Sequence, residues 1–337
     1  MSERHTKAHR VWIPAFLFIL FAGSSALSAD DDPHVWLTRM AGSVEGLNYQ
    51  GTLVHMHDGD ADILHIVHRV DNGMVTERIT AMDGAGREII RDNDEVTCIL
   101  PDEQTVLVEP RDVRDRSQSP LQGRLPDPTS FDGRHYKLSL IPGESVAGHK
   151  AVLLQIRPMD EYRYGYRIWL DERTGMPLKS QLRGVDDTTL EQIMFTEISI
   201  DTSIDADQVR PSIDTGSYNW QRSVAAPNPD ESHTADQSWS AGQLPPGFHK
   251  MAVRAKLMPG ADMPTRQIVY TDGLATVSVF IEMGREEQDE GEGASTMGAV
   301  NAYTIHQAGH MVTAVGEVPA RTVKMIAMSM HPLPGSG

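Results

Sequence analysis

Tyr162-Arg163-Tyr164-Gly165-Tyr166-Arg167-Ile168-Trp169-Leu170-Asp171 runs through the turn Glu172-Arg173-Thr174-Gly175 into Met176-Pro177-Leu178-Lys179-Ser180-Gln181-Leu182-Arg183. Successive side chains of a strand point to opposite faces. Tyr162, Tyr164, Tyr166, Ile168 and Leu170 are therefore expected on one face, and Arg163, Arg167 and Trp169 on the other. Met176, Leu178 and Leu182 oppose Lys179, Gln181 and Arg183 in the same way. After Asp186-Asp187, a strand over 188–200 places Leu190, Met194, Ile198 and Ile200 on similar sides. One apolar face and one wet face describe an antiparallel sheet resting on a core.

The same period extends towards the N-terminus. Segments 51–57, 63–70, 75–82, 86–91, 95–100 and 104–109 are short and rich in Val, Ile, Thr and Leu. Asp58-Gly59-Asp60, Asp71-Asn72-Gly73, Asp83-Gly84 and Asp92-Asn93-Asp94 punctuate them, which predicts an antiparallel meander. Residues 111–134 read as a long excursion with a short helix, and strands resume at 136–141 and 150–157. Before the meander, Asp32-Pro33 supplies an N-cap carboxylate followed by proline at the first helical position. Trp36, Met40, Val44 and Leu47 then recur on one face, with Leu37 and Ala41 beside them, which predicts a helix over 33–46. About ten strands and one long helix make a strongly curved sheet wrapped over that helix.

The composition changes over 205–243, where Pro211, Pro227, Pro229, Ser and Asp surround Trp220 and Trp239. This stretch reads as a linker. A second, smaller α+β unit is expected from Leu244-Pro245-Pro246-Gly247-Phe248, with strands at 249–257, 266–271, 275–283, 300–306 and 310–316. Glu286 to Ser295 is expected as an acidic loop, and Pro319 opens a last short helix with Val323, Ile326, Ala327 and Met330 inward. The expected organisation is residues 1–29, 30–204, 205–243 and 244–331.

Residues 1–29 have the layout of a secretory signal peptide: basic Arg4, Lys7 and Arg10, an apolar stretch from Val11 to Gly23, and a small-residue run from Ser24 to Ala29. The apolar stretch is shorter than the roughly 20 residues needed to span a bilayer. Cleavage fits after Ala26, Ser28 or Ala29, which leaves a periplasmic or otherwise exported chain. The net charge of −17 becomes −19 once Glu3, Arg4, Lys7 and Arg10 are removed. Such a chain is a poor match for nucleic acid or an anionic membrane surface and a better one for a basic or apolar partner. Cys98, the single cysteine, cannot form an internal disulfide and reads as a buried, inert thiol on the strand 95–100.

The sequence contains no P-loop, no H-E-x-x-H, no G-x-S-x-G and no cysteine motif. The best metal-ligand pattern is His55 and His57, two apart on one strand, with His65 and His68 on the next. His65 and His68 face opposite ways, and only the turn residue Asp58 offers a further ligand. The reading therefore assigns no metal and no cofactor, and treats these as solvated strand histidines.

Several stretches together resemble the RseB/MucB family of periplasmic negative regulators of the envelope-stress sigma factor. They are Met82-Asp83-Gly84-Ala85-Gly86-Arg87-Glu88-Ile89-Ile90-Arg91, Tyr164 to Asp171 continuing to Met176-Pro177-Leu178, and Thr189-Leu190-Glu191-Gln192. In the second unit they are Leu244 to Phe248, Tyr270-Thr271-Asp272-Gly273-Leu274 with Val277-Ser278-Val279-Phe280, and Val315-Gly316-Glu317-Val318-Pro319. The resemblance implies an α+β fold in which a large antiparallel half-barrel over a helix, like that of lipoprotein carriers, is joined to a smaller α+β domain. It also implies binding of the periplasmic part of a membrane-spanning anti-sigma factor, protection of that partner from regulated proteolysis, and release by lipid or lipopolysaccharide. The 117–134 stretch is poorer in helix than the family implies.

On this reading Tyr162, Tyr164, Tyr166, Ile168, Met194 and Ile198 line a lipid-binding concave face, unless they instead fill the core against the helix. Tyr270, Asp272, Leu274, Val277, Val279 and Phe280 belong to the anti-sigma contact, unless they simply support their own sheet. A plain lipid carrier is the alternative function and a hydrolase a distant third; a homo-oligomer is left open.

Overall fold

The structure is a computed structural model, and it describes residues 32–84, 86–92, 94–111, 119, 121–127, 133–223, 239–256, 265–283 and 292–333. The expected signal peptide and residues 286–291 of the expected acidic loop lie outside these.

Helix α1 (Pro33–Gly46) begins where its sequence signals place it: Asp32 accepts from the backbone N–H of His34 at 2.9 Å, and Pro33 follows. Strands β1 (Tyr49–His57), β2 (Asp60–Asp71), β3 (Met74–Ala81), β4 (Glu88–Arg91), β5 (Glu95–Leu100) and β6 (Thr105–Pro110) form the meander. Strands β7 (Tyr136–Pro142), β8 (Ala151–Pro158), β9 (Gly165–Asp171), β10 (Pro177–Arg183) and β11 (Thr189–Ile200) form a second antiparallel run. β1 pairs with β11, from Tyr49 opposite Ile200 to His57 opposite Glu191, and this joins the two runs into one sheet. Trp36, Leu37, Met40 and Val44 of α1 share a buried core with Leu53, Ile66, Ile168 and Phe195. Burial of Leu37, Met40 and Val44 contributes roughly 1.5–3 kcal/mol each before ordering costs.

Within the stretch expected as linker, β12 (Asn219–Arg222) adds to the sheet edge, parallel to β6. Val209 and Ile204 pack on Val67 of β2, and the Ser212 N–H and hydroxyl both donate to the buried Glu88 carboxylate. Residues 204–222 are thereby tied to the first sheet, because hydrogen bonding and small apolar contacts satisfy a segment whose composition alone looks loop-like.

The second unit contains β13 (Trp239–Ala241), β14 (His249–Lys256), β15 (Thr265–Thr271), β16 (Thr276–Met283), β17 (Gly293–Met297), β18 (Val300–Gln307), β19 (His310–Gly316), α2 (Ala320–Ser329) and β20 (Met330–Pro332). Among the described residues its main sheet runs β14-β15-β16-β19-β18-β17, and β13 pairs with β20. Val323, Ile326 and Ala327 of α2 pack on Val279, Val312 and Ala314. β17 corrects the expectation for the acidic loop: Gly293 to Ser295 belong to a strand, paired with Tyr303 and its neighbours on β18. Cys98 is only half-buried, and burial pushes its thiol pKa up.

Candidate binding site at the seam between the two units

β9 starts at Gly165, three residues later than its tyrosine alternation suggests. The segment before it turns because Asp160 accepts from the Tyr162 N–H at 3.0 Å and from Arg163 Nε at 3.0 Å. Gly165 lies so close to the neighbouring strand that a Cβ there would stand 2.8 Å from the Ile156 carbonyl oxygen. The turn sends Arg163, expected on the wet face, into the interior, where it has no exposed surface.

Arg163 meets the second unit there. Its Nη1 donates to Asp272 and its Nη2 to the Pro246 carbonyl. Asp272, 2% exposed, also accepts from the Tyr136 hydroxyl at 2.9 Å on Oδ2, and from the N–H groups of Leu274 and Ala275 on Oδ1. The guanidinium lies 5.4 Å from the ring centroids of both Tyr136 and Phe248. Gly247 makes the turn between Pro246 and Phe248 with φ +84°, where a Cβ would strike the His135 ring at 2.4 Å. A desolvated charge pair holds its place only when its remaining hydrogen-bond sites are filled, and here they are. Further along the seam, Asn301 donates to the Tyr164 hydroxyl at 3.0 Å and to the Val318 carbonyl at 2.8 Å. Thr322 of α2 donates to the Tyr162 carbonyl at 2.6 Å.

Beside this bonded patch is a cleft of about 140 Å³, lined by Tyr136, Tyr164, Tyr166 and Leu182 from the first unit and by Leu274, Thr276 and Glu317 from the second. Its rim carries charge. Arg124 lies 3.0 Å from Glu191 of β11 and 3.7 Å from Glu317, and Glu191 also bonds His55 of β1. Burial and the neighbouring Glu191 raise the pKa of Glu317. For Glu191 burial acts upward, but the His55 hydrogen bond and the Arg124 charge outweigh it and hold the carboxyl below its ordinary value. The Tyr136 and Tyr166 phenols are pushed far up, first by burial and then by nearby carboxylates, so both remain neutral donors.

The six residues expected to line one concave surface are divided. Ile168 and Ile198 lie in the core shared with α1. Tyr164 and Tyr166 line the cleft, while Tyr162, before β9, offers its carbonyl to α2. Met194, paired with Val54 and Lys179, is on the face opposite Ile193 and Phe195, though it still packs half-buried against the same cluster. Leu53 pairs with Phe195 and Thr52 with Glu197, so a bulge at Thr196 resets the alternation and puts Ile193 and Phe195 on the side of Ile198 and Ile200. In the second unit Tyr270, Val277 and Val279 are core residues, Phe280 is on the opposite, half-exposed face, and Asp272 and Leu274 reach the seam. Arg163, Tyr136, Arg124, Glu191 and Glu317 were not anticipated as site residues. The available signal was that Asp272, Glu191 and Glu317 all fall inside the stretches that carry the family resemblance.

A half-barrel filled by its own helix is bonded here through a buried ion pair to a smaller sheet-and-helix unit, a two-unit α+β architecture. The chain belongs to the MucB/RseB family: the N-terminal domain model of that family matches residues 32–213 and the C-terminal domain model residues 233–331. It is 31% identical over 326 residues to the sigma factor AlgU regulatory protein MucB of Pseudomonas aeruginosa, covering 94% of this chain and 96% of that protein. The structure of the Pseudomonas aeruginosa MucA/MucB complex aligns with a TM-score of 0.69 at 30% identity, over 89% of this chain and 99% of the solved one. MucB in complex with MucA(peri) aligns with a TM-score of 0.67 at 30% identity and the same coverage. Among the described residues no helix is long and apolar enough to cross a membrane.

Proposed function

We propose that this chain is a periplasmic regulator that binds the periplasmic region of a membrane-spanning anti-sigma factor, shields it from regulated proteolysis, and releases it in response to lipid or lipopolysaccharide. The observation that carries the reading is the seam, where a fully buried Arg163–Asp272 pair adjoins a small cleft lined by tyrosines from one unit and by Leu274 and Thr276 from the other. Membership of a regulatory family, with a relative solved as a complex with MucA, supports the partner.

The size of the cleft supports a lipid response that works by opening the seam. A cleft of about 140 Å³ is well below the roughly 300–1,000 Å³ of ordinary ligand pockets, and the half-barrel core is occupied by α1. An acyl chain therefore enters only by parting packed groups, and each buried CH₂ returns about 0.8 kcal/mol. Lipid thus favours an opened arrangement over the closed one, and a partner that needs the closed arrangement is released. A plain lipid carrier would need the groove empty and ready, which the buried side chains of α1 do not leave.

The test is to titrate the anti-sigma periplasmic region onto the mature chain, add its regulated protease, and repeat with lipopolysaccharide. Saturable binding, slowed cleavage, and loss of both on adding lipopolysaccharide are expected. Binding without protection, or protection indifferent to lipid, removes the corresponding part of the proposal.

A further inference from the structure

We propose that His55, His57 and Asp62 form a site for a divalent transition-metal ion, with Zn²⁺ the first candidate. β1 and β2 pair so that His55 is opposite Asp62 and His57 opposite Asp60, and all four therefore share the concave face. The turn residue Asp58, considered from sequence as the further ligand, is not part of this group. One ligand atom from each of His55, His57 and Asp62 lies within 4.8 Å of the others. Asp62 Oδ2 stands 3.1 Å from His57 Nε2 and 3.6 Å from His55 Nδ1. Ligands at about 2.0–2.1 Å from a tetrahedral zinc stand roughly 3.3 Å from one another, so little movement is needed to seat an ion.

A second observation points the same way. His55 Nε2 is bonded to the Glu191 carboxylate, and Arg124 holds Glu191 in turn. A proton kept on Nε2 leaves the Nδ1 lone pair free towards Asp62 and His57, and a carboxylate behind an imidazole is the usual outer support of a metal-bound histidine. The ion has a route in, since the His57 and Asp62 side chains are 39% and 48% exposed, and solvent can supply the fourth ligand. Two imidazoles and a carboxylate suit Zn²⁺, Ni²⁺ or Cu²⁺ rather than Mg²⁺ or Ca²⁺, which prefer oxygen. His65 pairs across β2 on the other face, opposite Thr52 and Thr80, and His68 is buried against Tyr49, so neither competes. Because Arg124 also faces Glu317 of the second unit, the ion's charge acts within reach of the seam.

Equilibrium dialysis of the untagged mature chain against Zn²⁺, with bound metal counted, decides the matter. Wild type is expected to hold one equivalent more than Asp62→Asn and than His57→Ala, both exposed positions whose unfolding midpoints in chelator should equal wild type. Glu191→Gln should retain the site with affinity lowered about 10–100-fold. Equal metal content in wild type and both ligand variants, or displacement of the Zn²⁺ by equimolar Mg²⁺ or Ca²⁺, overturns the proposal.

Discussion

Arg163, from the turn before β9, donates to Asp272, at the end of β15, and neither side chain is exposed to solvent. The two residues are 109 apart in sequence and belong to different units. Their charges are matched only while the seam is closed, so anything that opens it must rehydrate the ion pair, the Tyr136 and Phe248 side chains around it and the Pro246 carbonyl.

Removing one partner should therefore cost more than removing both. Arg163→Met leaves the Asp272 carboxylate buried without its cation, and a loss of about 3–5 kcal/mol is expected in urea unfolding. The double variant Arg163→Met, Asp272→Leu should recover a substantial part of it. Equal losses in the single and double variants would show that the pair is hydrated and unimportant.

Acid should destabilise the protein through His68. This ring is stacked on Tyr49 at 4.6 Å, and Nδ1 lies 3.0 Å from the Leu47 carbonyl. Burial lowers its pKa below 6.5; the charge of Glu77 and the Leu47 hydrogen bond act upward without restoring it, while Arg91 and Arg111 act downward. The unfolded chain thus binds this proton at a higher pH than the folded one. Stability present above pH 6.5 should decline as pH falls below it, by at most about 1.4 kcal/mol per pH unit from this group. Unfolding midpoints from pH 7.5 to 5.5 should show a steeper decline for wild type than for His68→Phe.

Helix α1 should behave as core rather than as a cover. Leu37, 1% exposed, should cost about 2–5 kcal/mol as Leu37→Ala. Loss of the helix cap in Asp32→Ala should cost about 1 kcal/mol. Chemical denaturation measures both, and near-zero effects would mean that α1 is detached from the sheet in solution.

The face of β16 turned away from its core is the expected anti-sigma contact in the second unit. Phe280 lies on it, opposite in direction to the buried Val279. Phe280→Asp should leave the unfolding midpoint unchanged and weaken anti-sigma binding at least about tenfold, the equivalent of about 1.4 kcal/mol. Unchanged affinity in a competition assay would place the contact elsewhere.

Export should remove the first 26–29 residues, so intact-mass measurement of the periplasmic fraction should find a chain starting between Leu27 and Asp30. A protein retaining Met1 on a membrane would contradict this.

The half-barrel was legible because its signals are local. Alternation in Leu178-Lys179-Ser180-Gln181-Leu182, the turn Asp71-Asn72-Gly73, and the Asp32-Pro33 cap each act over a few residues, and burial of one face is enough to select a sheet over a helix. The second sheet was legible for the same reason, except for β17, whose Gly-Ala-Ser-Thr composition carries no strand signal.

The site was decided by relationships that no local pattern contains. Met194 changes face because a bulge in β11 is stabilised by pairing with β1, more than 140 residues earlier. Asp62 becomes the neighbour of His55 through the register of a hairpin, and Arg163 is buried because Asp272 and Pro246 of another unit fill its donors. By itself the sequence determined strand, turn and helix, the acidic surface and the apolar face, since these depend on side-chain type and short-range spacing. Only the tertiary structure decided which polar groups are desolvated together, since desolvation depends on what packs from afar.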